Sequence, residues 1–358
     1  MASHPSSSSD CDILIVGGGI AGASLAAELA PKRRVTIIEA ESQCGYHATG
    51  RSAAFWLESY GGPVVARLTR ASRDALEAGN FLFPRGALHI SDAGPVAPLP
   101  GVESREIARG ELERLVPGLR PDWRHARLEP GCADIDVAGL HAAFLAHFRR
   151  AGGEIRTATR LHSARFAGCR WSVELGDGAM LSAAVLVNAA GAWADSVAVA
   201  AGGRSLGIAP KRRTMVQLRV GRTGLRHLPL VGDAAGTFYF KGASDSSLWL
   251  SPHDEIATDP CDAAPEEIDV AVAIDRFEQV VDWPVEAVER RWAGLRSFAP
   301  DRLPVYGFDP HVPGLFWCAG QGGFGIQTAP AAAKMAAALL LGEEPEIDPA
   351  PFAPARFG

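Results

Sequence analysis

The chain opens with a hydrophobic pattern that changes period twice within thirty residues. Residues 12–16 (DILIV) are a continuous apolar run ending in three glycines, which predicts a buried strand entering a turn. Residues 20–30 (IAGASLAAELA) carry small and apolar residues at helical spacing, and residues 34–39 (RVTIIE) form a second apolar run closed by an acid. This is the pattern of one βαβ unit. Further on, the spacing predicts an amphipathic helix over 63–78, short strands and loops over 81–135, and a helix over 136–151 with Asp136 as its N-cap. Strands are expected over 154–175, then a buried parallel strand over 183–189 running into GAWAD. From about 206 to 295 the alternation becomes strict (TMVQLRV, GTFYFKG, SSLWLSP), which predicts an antiparallel sheet followed by a helix over 265–281. A last strand (314–319), a glycine-rich turn (QGGFG) and a small-residue helix (326–341) close the pattern.

The expected fold class is α/β: a Rossmann-like dinucleotide-binding domain with an inserted α+β substrate domain built on an antiparallel sheet. The first domain is expected to be discontinuous, from residues 10–85, 136–205 and 295–345. The second is expected from 86–135 and 206–294, and residues 1–9, polar and Ser-rich, read as a disordered leader.

Composition narrows the function classes. Acids outnumber Lys and Arg by 41 to 35, which argues against a nucleic-acid-binding surface. The six cysteines are scattered, with no C-x-x-C pair, so a reduced, cytoplasmic setting without a metal site is expected. The apolar stretch from Ile13 to Ala30 contains four glycines and Glu28, so no transmembrane segment is expected.

Gly17, Gly19 and Gly22 spell G-x-G-x-x-G between the first strand and helix. The first glycine permits the tight turn, the second lets the backbone approach a pyrophosphate, and the third lets helix and strand pack closely. Ile20 and Ala21 would then lie at the helix N-terminus, whose N–H groups attract phosphate. Glu39 falls about 20 residues on, where an acid accepts hydrogen bonds from a ribose diol. The motif by itself leaves NAD and FAD open.

Five segments in order decide between them. DILIVGGGIAGAS, GYHATGRSAAF, VLVNAAGAWAD, WAGLRSFAPD and FWCAGQGGFGIQT together resemble the D-amino acid oxidase-like flavoprotein superfamily, most closely its D-arginine dehydrogenase branch. The resemblance runs from about residue 10 to residue 342. It implies FAD, held non-covalently, with Cys318 a packed thiol. It places Glu39 and Ala40, then Thr49, Gly50, Arg51 and Ser52, along the cofactor, with Ala190 and Gly191 near the dinucleotide. Gly322, Gly323, Phe324, Gly325, Ile326 and Gln327 would wrap the flavin ring. For the substrate it implies Arg296 and Arg213 as carboxylate-binding groups, Tyr239 and Tyr60 as pocket walls, the Gly323 carbonyl as acceptor for the amine, and His47 in an orienting or chemical role. An Arg fork suits a carboxylate because it grips both oxygens.

Two departures from that branch bear on specificity. Phe55 stands where D-arginine dehydrogenase has a His, and Ala87 where it has an acid facing the substrate's cation. A guanidinium without a partner in an apolar pocket is costly. The expected reaction is therefore FAD-dependent oxidative deamination of a D-amino acid with an apolar side chain, with Trp56 enlarging the apolar wall or simply packing. Hydride would pass from the α-carbon to flavin N5, and the imino acid would hydrolyse to a 2-keto acid and ammonia. The alternative is an oxidase or dehydrogenase of a secondary amine of sarcosine, glycine or proline type, or of a 2-hydroxy acid. A non-catalytic flavin-binding subunit and an NAD-dependent dehydrogenase are more remote readings. The electron acceptor (oxygen, a quinone or an electron-transfer partner) stays open.

Overall fold

The structure is a computed structural model and describes residues 9–358. The leader expected over residues 1–9 thus lies outside the described residues except at Ser9, which begins the first strand. The chain divides into two units: residues 1–50, 137–210 and 296–358, and residues 51–136 and 211–295.

The first unit is built on an eight-stranded sheet among the described residues. Ser9–Val16 lies at its centre, parallel to Val35–Ile38 on one side and to Met180–Asn188 on the other. Glu154–Arg156 extends the parallel set beyond Val35–Ile38. The helix Ile20–Leu29 connects the first two strands, completing the expected βαβ unit. Met180–Asn188 takes different partners along its other edge. Its first half pairs antiparallel with Arg170–Leu175, and its end pairs parallel with Leu315–Ala319. Leu14, Ile15, Leu186 and Val187 are fully buried, as strands covered on both faces require.

The second unit holds a nine-stranded sheet among the described residues, and along its main path the expected antiparallel pairing holds with one exception. Leu230–Asp233 runs parallel to Ala87–Ser91, so residues from before and after the first unit's middle segment share this sheet. Its two faces differ in character. Val216, Leu218, Phe238, Phe240, Leu248 and Leu250 point to a core shared with Val270, Ala273 and Phe277 of the helix Glu267–Glu278. Arg213, Met215, Tyr239 and Lys241, one position out of phase, point to the opposite face.

One expectation is corrected. Residues 51–85 were assigned to the dinucleotide-binding domain, but they group with the second unit. The reason is pairing at long range. Phe55–Trp56 and Leu82–Pro84 both pair antiparallel with Ala133–Ile135. Trp56, 2% exposed, anchors the helix Gly62–Ala78 by donating its indole N–H to Thr69 O at 2.9 Å. Two further elements escaped the sequence reading: the helix Arg109–Leu115 and the long strand Val285–Phe298, whose first half is mostly charged or exposed.

Candidate active site

In the first unit two of the three fingerprint glycines, Gly17 and Gly22, are required by contact. Gly17 has φ +107°, and a Cβ there would lie 2.4 Å from Ala189 O. A Cβ on Gly22 would lie 2.0 Å from Gly17 O, so any side chain would push helix and strand apart. The contact at Gly17 also brings Ala190 against the motif, 3.2 Å from the same notional Cβ, with Gly191 next to it. The N-cap of the helix Ile20–Leu29 is Gly19, which brings no capping side chain of its own. Ile20 N–H donates to Thr49 Oγ1 at 2.9 Å, and the N–H groups of Ala21 and Gly22 are left at the helix end, where the dipole favours an anion.

Glu39 follows the second strand as expected, and its carboxylate is already aimed. It accepts from Gly18 N–H at 2.8 Å and from Glu41 N–H at 3.0 Å. Ala40 beside it is exposed. The segment 41–50 folds back over the motif. Gly50 N–H donates to Gly45 O at 2.8 Å, and a Cβ on Gly45 would meet the His141 ring at 2.9 Å. His141 in turn lies 2.9 Å from Gly18 O; a carbonyl only accepts, so Nε2 carries the proton. Burial pushes the His141 pKa below the usual range, against the opposing influence of Gly18 O and Glu39. His47, for which an orienting or chemical role was expected, is 3.0 Å from Glu41 Oε1, and its ring packs on Trp193.

The glycine-rich turn follows the buried strand Leu315–Ala319. Gly320 and Gly322 both have positive φ, and a Cβ on Gly322 would lie 2.4 Å from the Phe298 ring. Gly322 N–H donates to Ser297 O at 2.8 Å, which ties the turn to the segment carrying Arg296. Gly323 and Phe324 lead into the helix Gly325–Leu341, which also lacks a side-chain cap and opens with Ile326 and Gln327, both buried. A Cβ on Gly325 would be 3.8 Å from Ile20 Cγ2, so two helix N-termini lie side by side. Arg296 is half-buried, with its guanidinium carbon 5.6 Å from the Phe298 ring centre. Cys318 is buried, and burial pushes its thiol up to about 12, so it stays protonated.

In the second unit the expected pocket residues meet on one sheet face. Tyr60, Tyr239, Phe55 and Ala87 cluster with Leu57, Cys132 and Leu230. The Phe55 ring lies 6.1 Å from Tyr60 and 5.7 Å from Tyr239, centre to centre. Tyr239 OH donates to Met215 Sδ at 3.2 Å. Arg213, two residues before Met215 on the same strand, shares that face. Its Nε donates to Asp254 O at 2.8 Å and lies 3.6 Å from Asp254 Oδ1. Arg212 points the other way, into Glu266 and Asp269, which gives it a structural role.

Trp56 is separated from this cluster by strand alternation: it faces the helix Gly62–Ala78, under the Arg73 guanidinium. Arg51 and Ser52, expected along the cofactor, fall in the second unit. The Arg51 guanidinium donates to Ala263 O and Ala293 O and pairs with Asp262. Several neighbours of the pocket gave no local sequence signal. Glu129, opposite Ala87 across the strands, accepts from Ser59 Oγ at 2.7 Å and so fixes the residue before Tyr60. Lys241, buried, pairs with Asp134 at 2.7 Å beside the Phe55 ring, and burial lowers its pKa. Asp254 lies 41 residues from its arginine in sequence.

Among the described residues no group of His, Cys, Asp and Glu could hold a metal ion, and no helix is long and apolar enough to cross a membrane. The tight glycine contacts, the aimed Glu39 carboxylate and the paired helix N-termini fit a dinucleotide cofactor. Comparison with known proteins agrees. Glycine oxidase from Pseudomonas putida is 26% identical over 96% of this chain and 98% of its own. Hydrogen cyanide synthase subunit HcnC from Pseudomonas aeruginosa is 27% identical over 73% of this chain and 62% of its own. Among solved structures, the fold is shared with L-proline dehydrogenase from P. horikoshii, with a TM-score of 0.83 at 21% identity over 97% of this chain and 98% of that one. It is shared too with glycine oxidase from Geobacillus kaustophilus, with a TM-score of 0.77 at 22% identity over 96% and 98%. The model of the DAO family, FAD dependent oxidoreductase, matches residues 12–339, and the chain belongs to that family of FAD-dependent oxidoreductases.

Proposed function

We propose that this FAD-dependent oxidoreductase oxidises the carbon–nitrogen bond of a small amino acid of the glycine, sarcosine or proline type. The observation that carries this is the apolar Phe55–Tyr60–Tyr239–Ala87 cluster on the same sheet face as Arg213. An apolar D-amino acid would make the same use of the carboxylate-binding arginines. The small-amine reading is preferred because glycine oxidase and L-proline dehydrogenase are among the proteins that match nearly the whole chain. A cationic side chain would find Ala87 where a counter-charge is needed, and burying it there would be unfavourable.

FAD, when bound, supplies the acceptor for the hydride leaving the substrate carbon. The chain's own residues bind and orient. Arg213 and Arg296 are the proposed ligands of the substrate carboxylate, Arg213 held in place by Asp254. Tyr60, Tyr239 and Phe55 limit the space for a side chain and exclude water. The Gly323 carbonyl is the proposed acceptor for the amine, holding it while its lone pair supports the developing iminium. The neutral amine is the reacting form, and the proton its ammonium loses passes to water, so no strong general base is required. Released product hydrolyses in water to a carbonyl acid and an amine or ammonia.

The test is an anaerobic spectral titration. Glycine, sarcosine, proline, apolar D-amino acids, D-arginine and 2-hydroxy acids are added to the purified yellow protein, and loss of the flavin band is followed. Fast bleaching by the small or secondary amines with D-arginine slow is the expected result. Fastest bleaching by D-arginine or by a hydroxy acid would overturn the proposal. The six cysteines, free in the structure, support the cytoplasmic setting proposed for the enzyme.

A further inference from the structure

The three aromatic rings of the Phe55–Tyr60–Tyr239 cluster are held in different ways. Phe55 and Tyr239 lie in strands, where pairing with Ala133–Ile135 and with Leu230–Asp233 sets their direction. Tyr60 lies in a turn between the strand Phe55–Trp56 and the helix Gly62–Ala78. The two residues after it, Gly61 with φ +101° and Gly62 with φ +76°, take left-handed conformations, and a Cβ on Gly62 would meet nothing within 4 Å. Glycine backbone of that kind does not stiffen a turn. The Tyr60 ring is nevertheless placed against Phe55, 6.1 Å away centre to centre.

The turn is tied down from the sheet. Ser59 gives both of its donors to one carboxylate: its N–H to Glu129 Oε1 at 3.2 Å and its O–H to Glu129 Oε2 at 2.7 Å. Glu129 stands directly opposite Ala87 in an antiparallel pair, so its side chain leaves the sheet on the face that carries the cluster. It is 1% exposed there. A buried carboxylate is tolerated only where donors satisfy it, and its hydrogen bonds are about twice as strong as those between neutral groups. A third donor comes from His89, two residues beyond Ala87 on the same face. Its Nε2 lies 3.1 Å from Glu129 Oε2, and a carboxylate only accepts, so Nε2 carries the proton. His89 thus fixes the carboxylate from the sheet side, and the carboxylate fixes Ser59.

We propose that Glu129 is a positioning residue for Tyr60 and thereby sets the size of amine the pocket admits. With both Ser59 bonds made, the ring stays on Phe55 and encloses a small substrate. With them lost, the glycine-flanked turn gives way and larger side chains enter. Glu129 acts through Ser59, and the proposal rests on Tyr60 being a wall of the substrate pocket.

The chain has four tyrosines, so fluorotyrosine labelling gives one fluorine NMR signal for each, and Y60F identifies that of Tyr60. Spectra of the full-length, FAD-loaded enzyme are compared for wild type, S59A, S59T and E129Q. S59A removes one bond and leaves Glu129 paired with His89; E129Q keeps the shape and removes the charge. The expected result is a displaced Tyr60 signal in S59A and E129Q, with those of Tyr46 and Tyr306 unmoved, and recovery of the wild-type position in S59T. The second readout is the ratio of kcat/KM for glycine to that for D-phenylalanine. It should fall about threefold to tenfold in S59A and E129Q, through a higher KM for glycine at nearly constant kcat, and no further when either change is added to Y60A. A Tyr60 signal that stays in place in both variants, or an equal fall in the Y60A background, would overturn the proposal. Failure of the substrate reading registers separately, as a flavin that no amine bleaches while the displaced Tyr60 signal persists.

Discussion

Arg213 illustrates how a single side chain is prepared for an anion. It is 6% exposed, yet its Nε is spent on Asp254, so its direction is set before any substrate arrives. Hydrogen bonds to charged groups are worth about 1.5–3 kcal/mol, and a lysine cannot reproduce the two-point grip of a guanidinium. Arg213→Lys is therefore expected to lower kcat/KM about tenfold to a hundredfold, mainly through KM, in steady-state assays with the best substrate of the panel. A variant with wild-type KM would remove Arg213 from the carboxylate site. Cys318 supports a second prediction at this scale. Its thiol is buried and pushed up to about 12, so it does not supply the thiolate that a covalent flavin link needs. Acid precipitation should release all the FAD into the supernatant, and a yellow pellet would contradict this. Arg213, Tyr239 and Tyr60 are named as candidates through the family resemblance, and the structure sets the two tyrosines in one cluster. Their supports were not legible in the sequence. Asp254, Glu129 and Lys241 reach the site from distant strands, and a pairing set by sheet register leaves no mark within a few residues of either partner.

At the level of elements, the βαβ unit was readable because its signals are local: an apolar run, glycines at fixed spacing and a terminal acid. The structure adds the reason for Gly17 and Gly22. Gly22 faces Gly17 O at a distance that no Cβ can accept. Gly22→Ala is expected to separate helix and strand, destabilise the protein by about 1–3 kcal/mol and yield largely colourless protein. The ratio of flavin to protein absorbance after purification checks it, and a fully yellow variant of unchanged Tm would refute it. The boundary at residue 50 was the element-level miss. Residues 51–85 contain a helix and short strands that are neutral as to partner, and only the pairing of Phe55–Trp56 and Leu82–Pro84 with Ala133–Ile135 assigns them to the second unit. The parallel pair of Leu230–Asp233 with Ala87–Ser91 was invisible for the same reason. Alternation reports which face a residue takes, and it is silent on the direction of the neighbouring strand.

For the molecule as a whole, stability and cofactor retention are tied to pH through His141. This residue joins the helix Val137–Arg150 to the fingerprint turn by donating from Nε2 to Gly18 O, and it packs beneath Gly45. Burial holds its folded pKa below the usual value of 6.5. Above pH 6.5 the ring is neutral in both folded and unfolded chains and titration contributes nothing. As pH falls below 6.5 the unfolded chain takes up the proton while the folded chain does not, so stability is lost. The loss continues until the depressed folded pKa is reached, at a rate of at most about 1.4 kcal/mol per pH unit. His141→Gln keeps a donor for Gly18 O and removes the titration. Melting curves of the FAD-loaded wild type and variant between pH 8 and pH 5 should therefore show the wild type losing ground to the variant only below about pH 6.5. The FAD occupancy of the wild type should fall over the same interval, because charging His141 disturbs the turn proposed to bind the cofactor's phosphates. Parallel Tm profiles for the two proteins across the whole range would show that His141 is not the linked group.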